Sequence, residues 1–291
     1  MISIDSLVFG YGATPVFDGL ALRLERGKAY GLLGLNGAGK TSLLKLMAGA
    51  LLPRSGSIEA FGRSPSRREA AALADTAFVP EDPWLPSVTP EAYIARYAAF
   101  RPAFDDALFE RLRREFGIDE GKTISRLSYG QRKKFALAAA LTSGARTVLL
   151  DEPTNGLDIP SKMQFRKILA EAISDEKVIV VSTHQVRDLE SLIDPILIVD
   201  KGRLVFELDA ETLGSKLASA RSATLDGLEV VHAERDALGW NALVARRGRA
   251  EDAAPADIEL LFNAALAEPG RLAAAIGDTE LAPYAPEGRK S

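Results

Sequence analysis

Apolar and polar positions alternate in short runs over the first thirty residues, in SIDSLVF and again in LALRLERGKAY. A period of two marks half-buried strands, so antiparallel strands are expected there. AYGLLGL then reads as a buried strand, followed by a glycine-rich turn and a helix from about Lys40 to Ala50, and GSIEAFG returns as a strand between glycines. From about Pro83 to Thr142 the period lengthens. TPEAYIARYAAF and DDALFERLRREFG carry apolar residues at helical spacing, with threonine or aspartate near their starts and Gly117 near one end. Two apolar, β-branched strands follow, TVLLD (147–151) and VIVVST (178–183), with helices expected at about 160–174 and 185–193. ILIVD, the turn DKGR and LVFEL make a β-hairpin. Strands alternating with helices predict an α/β core with a largely parallel sheet.

After about Ser215 the pattern weakens. DGLEVVHAERDALGWNALVARRG supplies two or three short strands, and PADIELLFNAALAEP an amphipathic helix with Ile258, Leu261, Phe262, Ala265 and Leu266 on one face. The last dozen residues, rich in proline and charge, are expected to be mobile.

Composition narrows the chemistry. The 291 residues suffice for one large domain and a smaller one. There is no cysteine and there are only two histidines, His184 and His232, which excludes thiol catalysis, disulfides and multi-histidine metal sites. A net charge of −4 gives no global reason to expect nucleic-acid binding. The N-terminus has no secretory pattern, and no apolar run approaches the ~18–20 residues that span a bilayer, so the chain is not expected to cross a membrane by itself.

GLNGAGKT, Gly34 to Thr41, matches the P-loop pattern between a strand and a helix. Glycines let successive backbone N–H groups curl around phosphate oxygens, and the helix behind aims its positive end at the same anion. The candidate phosphate-binding set is therefore Gly34, Leu35, Asn36, Gly37, Ala38 and Gly39, with Lys40, Thr41 and Ser42 opening the helix. Lys40 would neutralise the terminal phosphates, and Thr41 would ligate Mg²⁺. Asp151, at the end of TVLLD, is placed to hold the Mg²⁺ shell, and Glu152 one residue on is the candidate general base for an attacking water. His184 follows the next strand in VVSTHQ and so comes to the same sheet edge, as a γ-phosphate contact.

In order and spacing these elements resemble the nucleotide-binding subunit of an ATP-binding cassette (ABC) transporter over about residues 1–215. The resemblance extends to Tyr11 in FGYG as an adenine-stacking aromatic, to SRLSYGQ as the signature, to VLLDEP as the strand with the catalytic glutamate, and to NGLD (155–158) as the D-loop. It implies a P-loop NTPase core of ABC type with an N-terminal antiparallel β subdomain and a helical subdomain inserted at about 83–142; residues 216–291, outside the resemblance, read as a small α+β C-terminal extension with its mobile tail from about 280. It implies ATP and Mg²⁺ as cofactors, with Ser128, Gly130, Gln131 and Asp158 added to the nucleotide-binding residues. It also implies two chains packed head to tail, each signature completing the other chain's ATP site, and a separate integral membrane permease, with this chain cytoplasmic and peripheral at the cytoplasmic face of the membrane. A homodimer and a heterodimer with a similar paralogue both stay open. The lack of an importer-specific regulatory domain points toward export.

Two positions depart from the family pattern. Glu81 stands where a glutamine is usual, keeping an oxygen that can approach Mg²⁺ but adding negative charge and losing the amide donor. Tyr129 replaces the first glycine of the signature, while Ser128-x-x-Gln131 also forms a capping-box pattern worth about 1 kcal/mol at a helix start. The segment EDPWLPSVTPEAYIARY, with Trp84, Leu85 and Tyr93, is expected to receive a short helix of the membrane partner, although its aromatics also suit an apolar core. The competing function is a soluble ABC-type ATPase acting on nucleic acid or the ribosome. The single cassette, the absence of sustained heptads and the acidic balance count against it. A P-loop small-molecule kinase explains neither the signature nor NGLD.

Overall fold

The computed structural model describes residues 1–119, 121–184, 192–246 and 254–277. The first two strands, β1 (Ile2–Tyr11) and β2 (Thr14–Leu24), pair antiparallel, and β4 (Ser55–Ala60) pairs with β1 on the other side. Their alternation is real: Ile2, Ile4, Leu7, Leu22, Leu24 and Ile58 point inward and their neighbours face out.

The main sheet has the order β5-β6-β7-β3-β8-β9, built from β5 (Thr76–Val79), β6 (Thr147–Asp151), β7 (Val178–Thr183), β3 (Lys28–Leu33), β8 (Ile196–Asp200) and β9 (Arg203–Leu208). All pairings are parallel except the β8–β9 hairpin. Every residue of β6 and β7 is buried, as expected of strands covered on both faces. Side chains alternate between the two covers. Val178 and Val180 join α1 (Lys40–Met47) and the antiparallel sheet on one side. Ile179 and Val181 meet Phe165 of α6 (Ile159–Ala172) and the helical segment on the other.

That segment carries α3 (Pro90–Ala98), α4 (Asp106–Glu115) and α5 (Tyr129–Leu141), numbered after the short α2 (Ala70–Ala74). The residues before these three helices, Thr89, Asp105 and Ser128, each accept a hydrogen bond from the first turn, and Gly117 takes a left-handed conformation just beyond α4. An aromatic cluster binds them together: Phe135 of α5, wholly buried, packs edge-on to Tyr93 of α3 and Phe109 of α4, at 5.2 and 6.1 Å between ring centres.

After α7 (Ala210–Lys216), β10 (Leu217–Ser222), β12 (Gly239–Ala245) and β11 (Val230–Asp236) form a three-stranded antiparallel sheet in that order, and α8 (Ile258–Ala267) and α9 (Pro269–Ile276) follow. Two of these strands fall where the sequence suggested them, and β10 lies just upstream. The buried face of α8 is broader than the periodicity implied, taking in Leu260 and Ala264 as well as Ile258, Leu261 and Ala265. These helices share one buried cluster with β8 and β9, so the C-terminal elements pack onto the main sheet. The expected helix at 185–193 lies almost wholly outside the described residues, and the expected mobile tail lies outside them entirely.

Replacing Phe135 with alanine should remove about 3–5 kcal/mol of unfolding free energy in urea titrations. A loss below about 1 kcal/mol would show that the ring cluster is not what holds the helical segment to the sheet.

Candidate functional site

Four parallel strands end at one edge, nearly in register: Leu33 opposite Thr183, Asp151 opposite Ser182, and Val79 opposite Leu150. The residues just beyond them are the P-loop, His184, Glu152 and Glu81. Strand pairing alone therefore gathers groups far apart in sequence, at the end of the sheet where ligands of open α/β folds bind.

The P-loop turns through left-handed conformations at Gly37 (φ 82°) and Gly39 (φ 104°), and a Cβ at Gly39 would sit 2.8 Å from the Phe17 ring. The turn lays its backbone against β2 and sets α1 with its N-terminus toward the sheet edge. Lys40 is buried, and its Nζ donates to the carbonyls of Gly34 (2.7 Å) and Leu35 (3.3 Å). Burial pulls its pKa down, while Glu152, Asp151 and Glu81 oppose that shift. A cavity of about 310 Å³ is lined by Tyr11, Val16, Leu35, Asn36, Gly37, Gly39, Lys40, Thr41, Ser42, Glu81 and Glu152. Tyr11 stands edge-on to Phe9, half exposed, with its hydroxyl 3.2 Å from Ser42 Oγ. Gly34 and Ala38 lie behind this lining; a Cβ on Gly34 would meet the Val199 carbonyl at 2.5 Å, so that glycine serves packing against β8.

Thr41 Oγ1 donates to Asp151 Oδ2 at 2.7 Å, and Ser182 Oγ donates to Asp151 Oδ1 at 2.5 Å. A hydroxyl and a carboxylate side by side are hard oxygen donors of the kind Mg²⁺ takes, with phosphate oxygens and water completing its octahedron, so these residues fit that ion. Glu152 is buried and held at φ 44°, a conformation that costs a non-glycine residue about 1 kcal/mol or more. Its N–H is fixed by the carbonyl and the hydroxyl of Ser182, both at 3.1 Å. Its carboxylate lies 2.9 Å from His184 Nδ1 and accepts from the His184 N–H at 3.4 Å. A carboxylate so restrained, on the wall of the P-loop cavity, is suited to take a proton from water.

Ser128, Gly130, Gln131 and Asp158 do not join that cavity. They line a second one of about 250 Å³, with Lys134, Gly156, Leu157 and Ser161. The capping box is complete: Gln131 N–H donates to Ser128 Oγ at 3.2 Å, and Ser128 N–H to Gln131 Oε1 at 3.3 Å. Asp158 caps α6 through the Ser161 N–H at 3.0 Å, and the Ser161 side chain together with that N–H holds its carboxyl below the usual range.

Sequence reading passed over several residues. Val16 lines the first cavity from β2, and Ser182 orients Asp151 and the Glu152 backbone; Asn155, named only as the start of the D-loop, donates through Nδ2 to Glu81 Oε1 at 2.6 Å. Lys133 is the largest surprise. It stands in a basic run on an exposed-looking helix start, yet it is fully buried, with Nζ on the Glu81 carbonyl at 2.5 Å. Burial lowers its pKa to about 8, against the opposing pull of Glu81, Asp151, Glu152 and Asp82. The only sequence signal was position: four residues after Tyr129 and two before Phe135, on the buried side of α5.

A lysine depressed to about 8 in the fold but ordinary when unfolded binds fewer protons in the native state between those values. Native stability therefore rises with pH across that window. Relative to Lys133→Met, the wild-type chain should gain about 2–3 kcal/mol between pH 7 and pH 10 in denaturant titrations. A difference independent of pH would mean that the ammonium stays charged in the fold.

The family model described as ABC transporter matches residues 17–155. Nod factor export ATP-binding protein I of Paraburkholderia xenovorans is 32% identical over 214 residues, covering 71% of this chain and 70% of that protein. Bacitracin transport ATP-binding protein BcrA of Bacillus licheniformis is 27% identical over 225 residues, 73% of this chain and 71% of its own length. The lantibiotic transport ATP-binding protein SrtF of Streptococcus pyogenes is 26% identical over 208 residues, covering 71% and 90%. A solved structure of an ATP-binding subunit of an ABC transporter superposes with a TM-score of 0.67 at 26% identity, covering 73% of this chain and 91% of that one. The sheet, its cover of antiparallel strands and the P-loop at its edge are thus accounted for together, and the chain belongs to the family of ABC transporter ATP-binding subunits, whose activity is ATP hydrolysis that drives transport.

Proposed function

We propose that this chain works as a pair of ATP-binding subunits packed head to tail, hydrolysing two MgATP and driving a separate membrane permease in the export direction. One observation carries the reading: the P-loop cavity and the signature cavity have no lining residue in common. The first holds the lysine, the threonine and the candidate base. The second holds a capped helix start with Ser128, Gly130 and Gln131, a polar mouth able to receive an anion but with no P-loop of its own. Each is half a site, and a second copy or a paralogue supplies the complement. Within each completed site Tyr11 faces the base, the P-loop and Lys40 take the phosphates, Thr41 and Asp151 hold Mg²⁺ with Glu81 near it, and Glu152, oriented by His184, activates water.

The export direction and the permease are supported by relatives named for Nod factor export, lantibiotic transport and bacitracin transport. No helix among the described residues is long and apolar enough to cross a membrane. The surface proposed to meet the permease surrounds a groove of about 230 Å³ lined by Pro86, Val88, Tyr93, Arg96 and Tyr97, with Trp84 exposed close by in sequence. The aromatics divide their roles: Tyr93 packs on Phe135 and Tyr97, while Trp84, 86% exposed, is left for a partner. Docking there places the chain at the face of a membrane.

Glu152→Gln should bind ATP normally, lose at least about a hundredfold in turnover, and accumulate as an ATP-dependent dimer by size-exclusion chromatography. Normal steady-state hydrolysis would remove Glu152 from the role of base. Lys40→Ala and Ser128→Arg chains should each be inactive, and mixing them should restore about one working site per mixed dimer. No recovery under conditions where mixed dimers form would overturn the head-to-tail arrangement.

A further inference from the structure

Tyr129, the residue that replaces a glycine in the signature, is turned away from the cavity that Ser128 and Gly130 line. Its ring lies over Gly156, where a Cβ would come within 2.4 Å of Tyr129 Cε1. Its hydroxyl donates to the backbone carbonyl of Glu81 at 2.9 Å. One turn further along α5, Lys133 donates to the same carbonyl at 2.5 Å, so both acceptor positions of that oxygen are engaged. The Glu81 carboxylate in turn accepts from Asn155, the neighbour of Gly156. Three segments are thereby closed into one ring: the end of β5, the loop after β6 and the first turn of α5. A glycine at 129 would uncover Gly156 and halve the donors on the Glu81 carbonyl. The two departures from the family pattern, at 81 and 129, touch each other.

We propose that Tyr129 is a positioning residue: with Lys133 it clamps the Glu81 loop to the start of α5, so that the Glu81 carboxylate at this chain's own nucleotide and Ser128 and Gly130 at the partner's are set by one rigid unit. The second half rests on the two-chain reading above; the first half concerns a single chain. Lys133 adds a positive charge beside a carboxylate that would otherwise only add to those of Asp151 and Glu152. The clamp thus supplies both place and counter-charge for an acid at position 81.

The test uses the full chain carrying Glu152→Gln, with and without Tyr129→Phe, which keeps the ring on Gly156 and removes only the hydroxyl. The Mg²⁺ concentration that half-saturates binding of trinitrophenyl-ATP reads the Glu81 side, and the ATP-dependent dimer dissociation constant, by sedimentation, reads the signature side. Loss of one hydrogen bond should shift each about fivefold. The Mg²⁺ shift should vanish when Glu81→Ala is already present. An unchanged Mg²⁺ requirement, or an equal shift with and without Glu81→Ala, would overturn the clamp. If the parent chain forms no dimer with ATP, the two-chain reading falls, while the Mg²⁺ comparison still decides whether Tyr129 acts through Glu81. Should Tyr129→Phe fail to fold, Lys133→Met carries the same comparison from the other donor on the Glu81 carbonyl.

Discussion

The register of four parallel strands is the constraint on which everything else in this molecule depends. β5, β6, β7 and β3 end within two residues of one another, and each hands its next residues to the same edge. A slip of one residue in β7 would exchange Val178 and Val180 with Ile179 and Val181, moving each pair into the wrong one of two cores. The same slip would carry His184 away from Glu152. Packing on the two faces of the sheet therefore fixes the catalytic geometry at its end, with no separate device required to align acid, base and phosphate cradle.

Charge is the second constraint. Lys40 and Lys133 are buried among Glu81, Asp151 and Glu152, and burial lowers the pKa of both lysines while those acids oppose it. Unpaired, the two lysines, Asp151 and Glu152 would be costly in a dry interior, while Glu81 stands at the exposed rim. Together they form a set whose charges nearly offset, held by specific bonds: Thr41 and Ser182 on Asp151, His184 on Glu152, Asn155 on Glu81. Glu152 adds a left-handed backbone that a glycine would adopt more easily, which the Ser182 contacts hold in place. These are costs the fold sustains at the one place where its strands converge.

The strands and helices that could be read from the sequence were those with an unambiguous period or flank. TVLLD and VIVVST announced themselves by β-branched runs, α3 to α5 by apolar spacing and capping residues, and the P-loop by glycines in a fixed pattern. β5 was missed because four residues, TAFV, are too few for a period, and α2 because five alanine- and leucine-rich residues suit several conformations. In the site, residues that act through their own motif could be named in advance. Those that act by contact across the fold could not. Ser182 looked like strand, Asn155 like one more residue of the D-loop, and Lys133 like surface charge, since nothing local distinguishes a buried lysine from an exposed one in RKK.

Considered one at a time, Glu81 and Tyr129 look like two weakened motifs. An acid near phosphates repels them, and a tyrosine in a glycine position crowds a nucleotide. In the fold neither objection holds in its simple form. The tyrosine occupies the space above Gly156, outside the cavity lined by Ser128 and Gly130, and the acid is met by an amide on its carboxylate and by two donors on its carbonyl. A change at one position alters what the other must do: with glutamine at 81 the buried ammonium of Lys133 would lose a nearby opposite charge, and with glycine at 129 the loop bearing Glu81 would lose a donor. The physical unit here is the closed ring of contacts among three segments, and its residues are intelligible only as a set.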